Sequence, residues 1–143
     1  MRRALLLSRT TPSLLAFVLL LAGCSGGHIA SGGSVDVAQA LERQHAGGVL
    51  LDVRTAAEYQ QGHAVDARLV PWVEGRGRLN PDFFDQVARI ATPDQEVLVI
   101  CQTGNRSAHA AHALQQRGYH RAVNVLGGSM AWRSEGLPWE GAR

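Results

Sequence analysis

The chain has 143 residues, 45% of them hydrophobic and 18% charged, which is enough for one domain with an ordinary core. Of its 14 basic and 12 acidic side chains, three basic ones and no acidic one fall in the first 23 positions. The remainder therefore carries a formal charge of −1, which gives nucleic-acid binding no electrostatic support. Every cation is an arginine, so lysine Schiff-base chemistry is excluded.

Arg2, Arg3 and Arg9 form a positive segment ahead of the apolar run Leu14 to Ala22, which is too short to span a bilayer comfortably. The run leads into Leu21-Ala22-Gly23-Cys24, which resembles the lipobox of bacterial lipoproteins. That resemblance implies a signal peptide over residues 1–23, cleavage before Cys24 and lipidation of Cys24. Two or more acyl chains would then anchor the protein to a membrane of the bacterial cell envelope, facing the periplasm. A plain secretory leader and an uncleaved anchor helix are the alternatives. Residues 24–34, rich in Gly and Ser, read as a flexible tether, and residues 35–141 as the folded domain. The chain has two cysteines. With Cys24 lipidated, Cys101 is the one free thiol, and neither an intramolecular disulfide nor an internal resolving cysteine is available.

Val35 to His45 reads as a helix capped by Ser34, with Val37, Ala40 and Leu41 on one face and Gly47-Gly48 ending it. Val49 to Val53 reads as a short strand interrupted by Asp52. A carboxylate inside such a run needs a partner, and Arg54 and Arg106 are the candidates. Ala56 to Gln61 forms one or two helical turns packed through Tyr59, followed by Gly62-His63. Ala67 to Pro71 is a short strand and Trp72 to Leu79 a loop. Trp72 either lines a site mouth or, as large aromatics more often do, packs. Asn80-Pro81 starts a helix, with Asn at the N-cap, Pro at the first helical position and Phe83, Phe84, Val87 and Ile90 on the apolar face. Thr92-Pro93-Asp94 is a turn.

The next stretch organises the rest. Val97-Leu98-Val99-Ile100 reads as a buried strand, Cys101 ends it, and Gln102-Thr103-Gly104-Asn105 leads to Arg106 and a helix from Ser107 to Arg117. A strand, a tight loop and a helix start make an anion cradle, because loop N–H groups and the helix N-terminus face the same point. A cysteine at that point is a nucleophile whose thiolate is stabilised near neutral pH. Ala108, Ala111 and Leu114 give the helix a narrow apolar face that lets it approach the sheet, and Gly118 ends it. His109 and His112 lie three apart, but no third ligand is apparent, so they read as surface histidines and no metal is expected. Ala122 to Leu126 is the last strand, and Gly127-Gly128 turns into a short helix before Pro138. The alternation of strands and helices predicts a parallel sheet with helices on both faces, the cysteine lying at the carboxyl end of a central strand.

Three stretches together resemble the rhodanese (thiosulfate sulfurtransferase) family. They are Leu50-Leu51-Asp52-Val53-Arg54 with Glu58-Tyr59 and Gly62-His63, the Cys101 loop, and Asn124-Val125-Leu126-Gly127-Gly128 with Ala131-Trp132 and Gly136-Leu137-Pro138. The match covers roughly Val35 to Pro138, and the order of three motifs makes it specific. It implies a single rhodanese-like domain with a five-stranded parallel sheet. It also implies a catalytic Cys101, a substrate cradle of Gln102, Thr103, Gly104, Asn105 and Arg106, and loop support from Asp52 and Arg54. Gly62-His63 is implied to be a turn element, its imidazole bonded to backbone. The sequence departs from the family where Ala64-Val65-Asp66 replaces the usual Ile-Pro-Gly and Leu69 an asparagine.

The function so implied is transfer of sulfane sulfur from a small anionic donor such as thiosulfate, through a Cys101 persulfide, to cyanide or a thiol. No cofactor is needed. The Arg106 side chain either binds the donor's anionic group or braces the loop. Phosphatases related to this layout have five residues between Cys and Arg. The four found here make a smaller cradle that favours sulfur over a phosphoryl group, and an arsenate reductase would need a partner thiol. A non-catalytic binding module on the same fold is the remaining alternative.

Overall fold

The computed structural model describes residues 33–141. The leader, Cys24 and nearly all of the tether lie outside the described residues. The central sheet has five strands in the order β1-β8-β7-β2-β4, all parallel. They are β1 (Ser34–Val35), β2 (Val49–Asp52), β4 (Arg68–Leu69), β7 (Val97–Ile100) and β8 (Ala122–Val125). Two small antiparallel pairs flank it, β3 (Gly62–Ala64) with β9 (Trp139–Gly141) and β5 (Val73–Glu74) with β6 (Arg78–Leu79).

Strand periodicity sorts the core into two layers. Leu51, Val97, Val99 and Cys101 face one side, where α3 (Phe83–Ala88) and α4 (Asn105–Gln116) cover them with Phe83, Val87, Ala110 and Leu114. Leu50, Leu98, Ile100, Val123 and Val125 face the other. There α1 (Val37–His45) contributes Val37 and Ala40, and α5 (Gly128–Ser134) contributes the fully buried Trp132. Short α2 (Ala56–Gln60) follows β2. Helices thus cover both faces, and all four residues of β7 are buried because both its edges and both its faces are occupied.

Several expected boundaries move for physical reasons. Helix α1 begins at Val37 and not at Val35, because Asp36 caps it in a reciprocal box with Gln39, and Ser34 and Val35 instead pair with Asn124 and Val125 as an edge strand. Asn80 does not cap α3. Its Oδ1 accepts from Asp82 N at 3.0 Å while its Nδ2 donates to Pro71 O at 2.9 Å, so Asn80 builds a turn and the helix begins at Phe83. The strand expected over Ala67 to Pro71 pairs only at Arg68–Leu69, and the loop from Trp72 to Leu79 contains the β5–β6 hairpin. Helix α4 starts two residues earlier than Ser107, at Asn105, directly after Gly104 in the left-handed region at φ 96°. Asp66, standing where the family pattern has glycine, keeps a left-handed backbone at φ 61°, which aspartate tolerates better than most residues.

Candidate active site

Cys101 follows the last residue of β7, and its side chain is 1% exposed. The chain turns at once into Gly104 and α4. At the start of an α-helix the first N–H groups have no intrahelical acceptor. The first α4 bond runs from Ala108 N to Gly104 O, so the N–H of Ser107 is left free, and it favours the Cys101 thiolate. The N–H of Gly104 donates to Sγ at 3.1 Å and the Ser107 hydroxyl at 3.3 Å, with the Thr103 N–H as a further donor. Burial pushes the Cys101 thiol up, but the Ser107 hydroxyl and the N–H groups of Ser107, Thr103 and Gly104 outweigh it, so the pKa lies below the ordinary thiol value. The thiolate form of the sulfur is thus favoured by dipoles.

The loop's carbonyls point the other way. Ser129 N donates to Cys101 O at 2.7 Å and Met130 N to Gln102 O at 3.1 Å, so the N-terminus of α5 caps the back of the loop. Gly128 permits this: at φ 57°, any Cβ there would collide with the Cys101 carbonyl and with Gln102 backbone. Gly104 is constrained likewise, since its Cβ would press on Gly127 N at 3.2 Å.

Two arginine–carboxylate pairs frame the loop. Asp52 lies beside Ile100 in the sheet register, one residue short of Cys101's level. Of its two candidate partners, the structure selects Arg54, whose Nε and Nη2 reach the carboxylate at 2.7 to 3.0 Å. Nη2 also donates to Gly62 O at 2.9 Å, tying the end of β2 to the start of β3. Arg106 instead takes Glu58, through Nη1 to Oε2 at 2.8 Å and Nη2 to Oε1 at 2.6 Å. Hydrogen bonding from Arg106 holds the Glu58 carboxyl well below the usual range, from 4.5 to about 2. Glu58 also accepts from Thr55 N and Oγ1, as the reciprocal half of the α2 cap.

Of the residues singled out from sequence, Thr103 and Gly104 supply donors to sulfur and Arg106 braces the loop on α2. Gln102 lines an adjoining cleft, and Asn105 opens α4 as an exposed residue. Asp52 and Arg54 stand beside the loop rather than in it. His63 stacks on Tyr59 at 3.7 Å, with Nδ1 3.2 Å from Tyr59 O and Nε2 3.2 Å from Glu140, which occupies it structurally. Trp72 packs edge-on against Phe83. His109 and His112 join no metal-binding group among the described residues. Sequence reasoning missed two roles. Ser107 is the third residue of a helix whose first turn must face the thiolate, and that position was the available signal. Glu58 lies 48 positions from its partner, and nothing local announces the pairing.

The strand, the four-residue loop and the helix start around Cys101 lie within a domain that matches known proteins. The family model "Rhodanese-like domain" matches residues 36–135, and the chain belongs to that family. It is 39% identical over 111 residues to thiosulfate sulfurtransferase 18 of Arabidopsis thaliana, covering 73% of this chain and 81% of that one. It is 37% identical over 90 residues to a sulfurtransferase of Allochromatium vinosum, covering 63% and 76%. Among solved structures, that of Rv0390 from M. tuberculosis superposes with a TM-score of 0.68 at 28% identity, covering 77% of this chain and 98% of that one.

Proposed function

We propose that this protein is a sulfurtransferase that moves sulfane sulfur from an anionic donor such as thiosulfate to a thiophilic acceptor, cyanide or a thiol, through a persulfide on Cys101. The observation that carries the reading is the ring of donors from Thr103, Gly104 and Ser107 around a buried sulfur. The Cys101 thiolate attacks the outer sulfur of thiosulfate. A new S–S bond forms to Sγ, the donor's S–S bond breaks, and sulfite leaves with the electron pair. The anionic persulfide stays within the same dipoles, whose orientation is set before the reaction and costs no rearrangement. The loop offers one cradle of N–H groups and no second thiol, which suits storing a single sulfur atom. The sulfurtransferases among its relatives support the same chemistry.

The decisive experiment is intact mass of the protein before and after thiosulfate, with thiosulfate-to-cyanide turnover. Wild type is expected to gain one sulfur atom on Cys101, and Cys101→Ser to lose turnover entirely. Turnover by Cys101→Ser defeats the reading, and a wild type that neither loads sulfur nor turns over points to a binding module.

The proposal extends to location. Leu21-Ala22-Gly23-Cys24 behind an arginine-bearing apolar run supports lipidation at Cys24 and a tethered domain facing the periplasm. Cys24→Ala is expected to abolish acyl labelling and release the protein from membrane fractions while leaving sulfur loading on Cys101 intact.

A further inference from the structure

Beside the Cys101 loop lies a cleft of about 470 Å³, in the size range of pockets for organic ligands and much larger than an inorganic sulfur anion needs. Gln102 and Ser129, from the two segments that bond back to back at the loop, line it, as does Glu58, which grips Arg106. The cleft therefore adjoins the start of the loop, one residue from Cys101. Its charges do not cancel. Arg54 is neutralised by Asp52, and Arg106 by the Glu58 on its wall. Arg133, in the last turn of α5, also lines the cleft and forms no ion pair among the described residues. Its guanidinium lies 5.4 Å from the centre of the Trp139 ring, which the paired Arg54 guanidinium also approaches, at 5.6 Å. The stacking limits where the free cation can go, while its hydrogen-bond donors stay open. Exposed Met130 adds an apolar wall.

We propose that this cleft receives the acceptor, a thiol bearing an anionic group, and that Arg133 binds that group. The proposal rests on the sulfur-transfer reading above. The acceptor thiol gives its proton to water, and its thiolate attacks the outer sulfur of the Cys101 persulfide. A new S–S bond forms on the acceptor, the bond to Sγ breaks, and Sγ keeps the electron pair as a thiolate. Both reactants are anions, so an uncompensated cation beside the loop lowers their repulsion as well as selecting the acceptor. A neutral thiol lacks that anchor.

The test isolates the second half of the reaction. Wild type, Arg133→Gln and Arg133→Lys are loaded with thiosulfate, freed of donor, and discharged by 3-mercaptopropionate, 2-mercaptoethanesulfonate or 2-mercaptoethanol. Loss of one sulfur is followed by mass. Dividing each anionic thiol's rate constant by that for 2-mercaptoethanol, and comparing between proteins, removes the thiols' intrinsic differences. The ratio is expected to fall about tenfold in Arg133→Gln, the scale of one charge-assisted hydrogen bond, and less in Arg133→Lys. Equal falls for carboxylate and sulfonate mark a site for any anionic group, and a fall for the carboxylate alone marks a carboxylate site. An unchanged ratio overturns the proposal while leaving sulfur transfer standing. A wild type that gains no sulfur before any acceptor is added removes both together.

Discussion

The two arginine–carboxylate pairs beside the Cys101 loop have the same chemistry and opposite constructions. Asp52 and Arg54 are two residues apart and almost wholly buried, at 1% and 6% side-chain exposure. Glu58 and Arg106 are 48 residues apart and about a quarter exposed. The first pair secures the point where β2 leaves the sheet, and its guanidinium is further spent on backbone at Gly62. The second joins two helix starts, the cap of α2 and the first turn of α4 that bonds the Cys101 sulfur. Burial makes a pair expensive to break, whereas connectivity decides what breaking it disturbs. The local pair should thus govern folding and the long-range pair the geometry at sulfur.

Removing one partner of the buried pair has the largest expected effect. Asp52→Ala strands a guanidinium in the core and should cost about 3–5 kcal/mol, read from urea unfolding. Sulfur loading by the fraction still folded should be close to normal. A small stability loss with abolished loading would reverse the assignment of roles.

Glu58→Gln should do the opposite. Exposed pairs contribute about 1 kcal/mol or less, so the unfolding midpoint should move little. Loading should slow by about tenfold, because Arg106 no longer fixes the first turn of α4 and a positioning group displaced by a fraction of an ångström is costly. The pH of half-maximal alkylation of Cys101 should rise at the same time, as the donors on Thr103, Gly104 and Ser107 lose alignment.

The smallest effect reads the Glu58–Arg106 pair against pH. The Glu58 carboxyl sits at about 2 in the folded protein against 4.5 ordinarily. A depressed carboxyl contributes stability above its ordinary value and loses it as pH falls through its folded value. The stability difference between wild type and Glu58→Gln, under about 1 kcal/mol at neutral pH, should therefore shrink from pH 4.5 downward and be lost as pH falls through about 2. Urea midpoints of both proteins across that range measure it, and a constant difference would mean that the pair is not what Glu58 contributes.

The sequence displayed the local member of this comparison and hid the distant one. Asp52 inside an apolar strand required a partner, Arg54 and Arg106 were both candidates, and the structure chose the one two residues on. Arg106 was visible as the end of the loop, yet its partner could not be read, because a pairing across 48 residues leaves no periodic trace. The same distinction runs through the fold. Val97–Ile100 was legible because four consecutive apolar residues permit little else, whereas Ser34–Val35 are a strand only because β8 supplies an edge. The Asp36–Gln39 capping box was present in the sequence, and the better-placed cap displaced Ser34. Asn80-Pro81 carried a true turn signal, but Asn80's amide was committed to Pro71 O, which delayed the helix.

The bonds from Ser129 and Met130 to the carbonyls of Cys101 and Gln102 sort the loop by polarity, acceptors outward and donors inward. A peptide plane there cannot flip without breaking a bond to α5, and Gly128 leaves no slack between the two segments. The loop is consequently a fixed mould, its inner face set by bonds made on its outer one. Under the proposed sulfur transfer the same mould would serve the bare thiolate and the sulfur-laden one without being rebuilt between them.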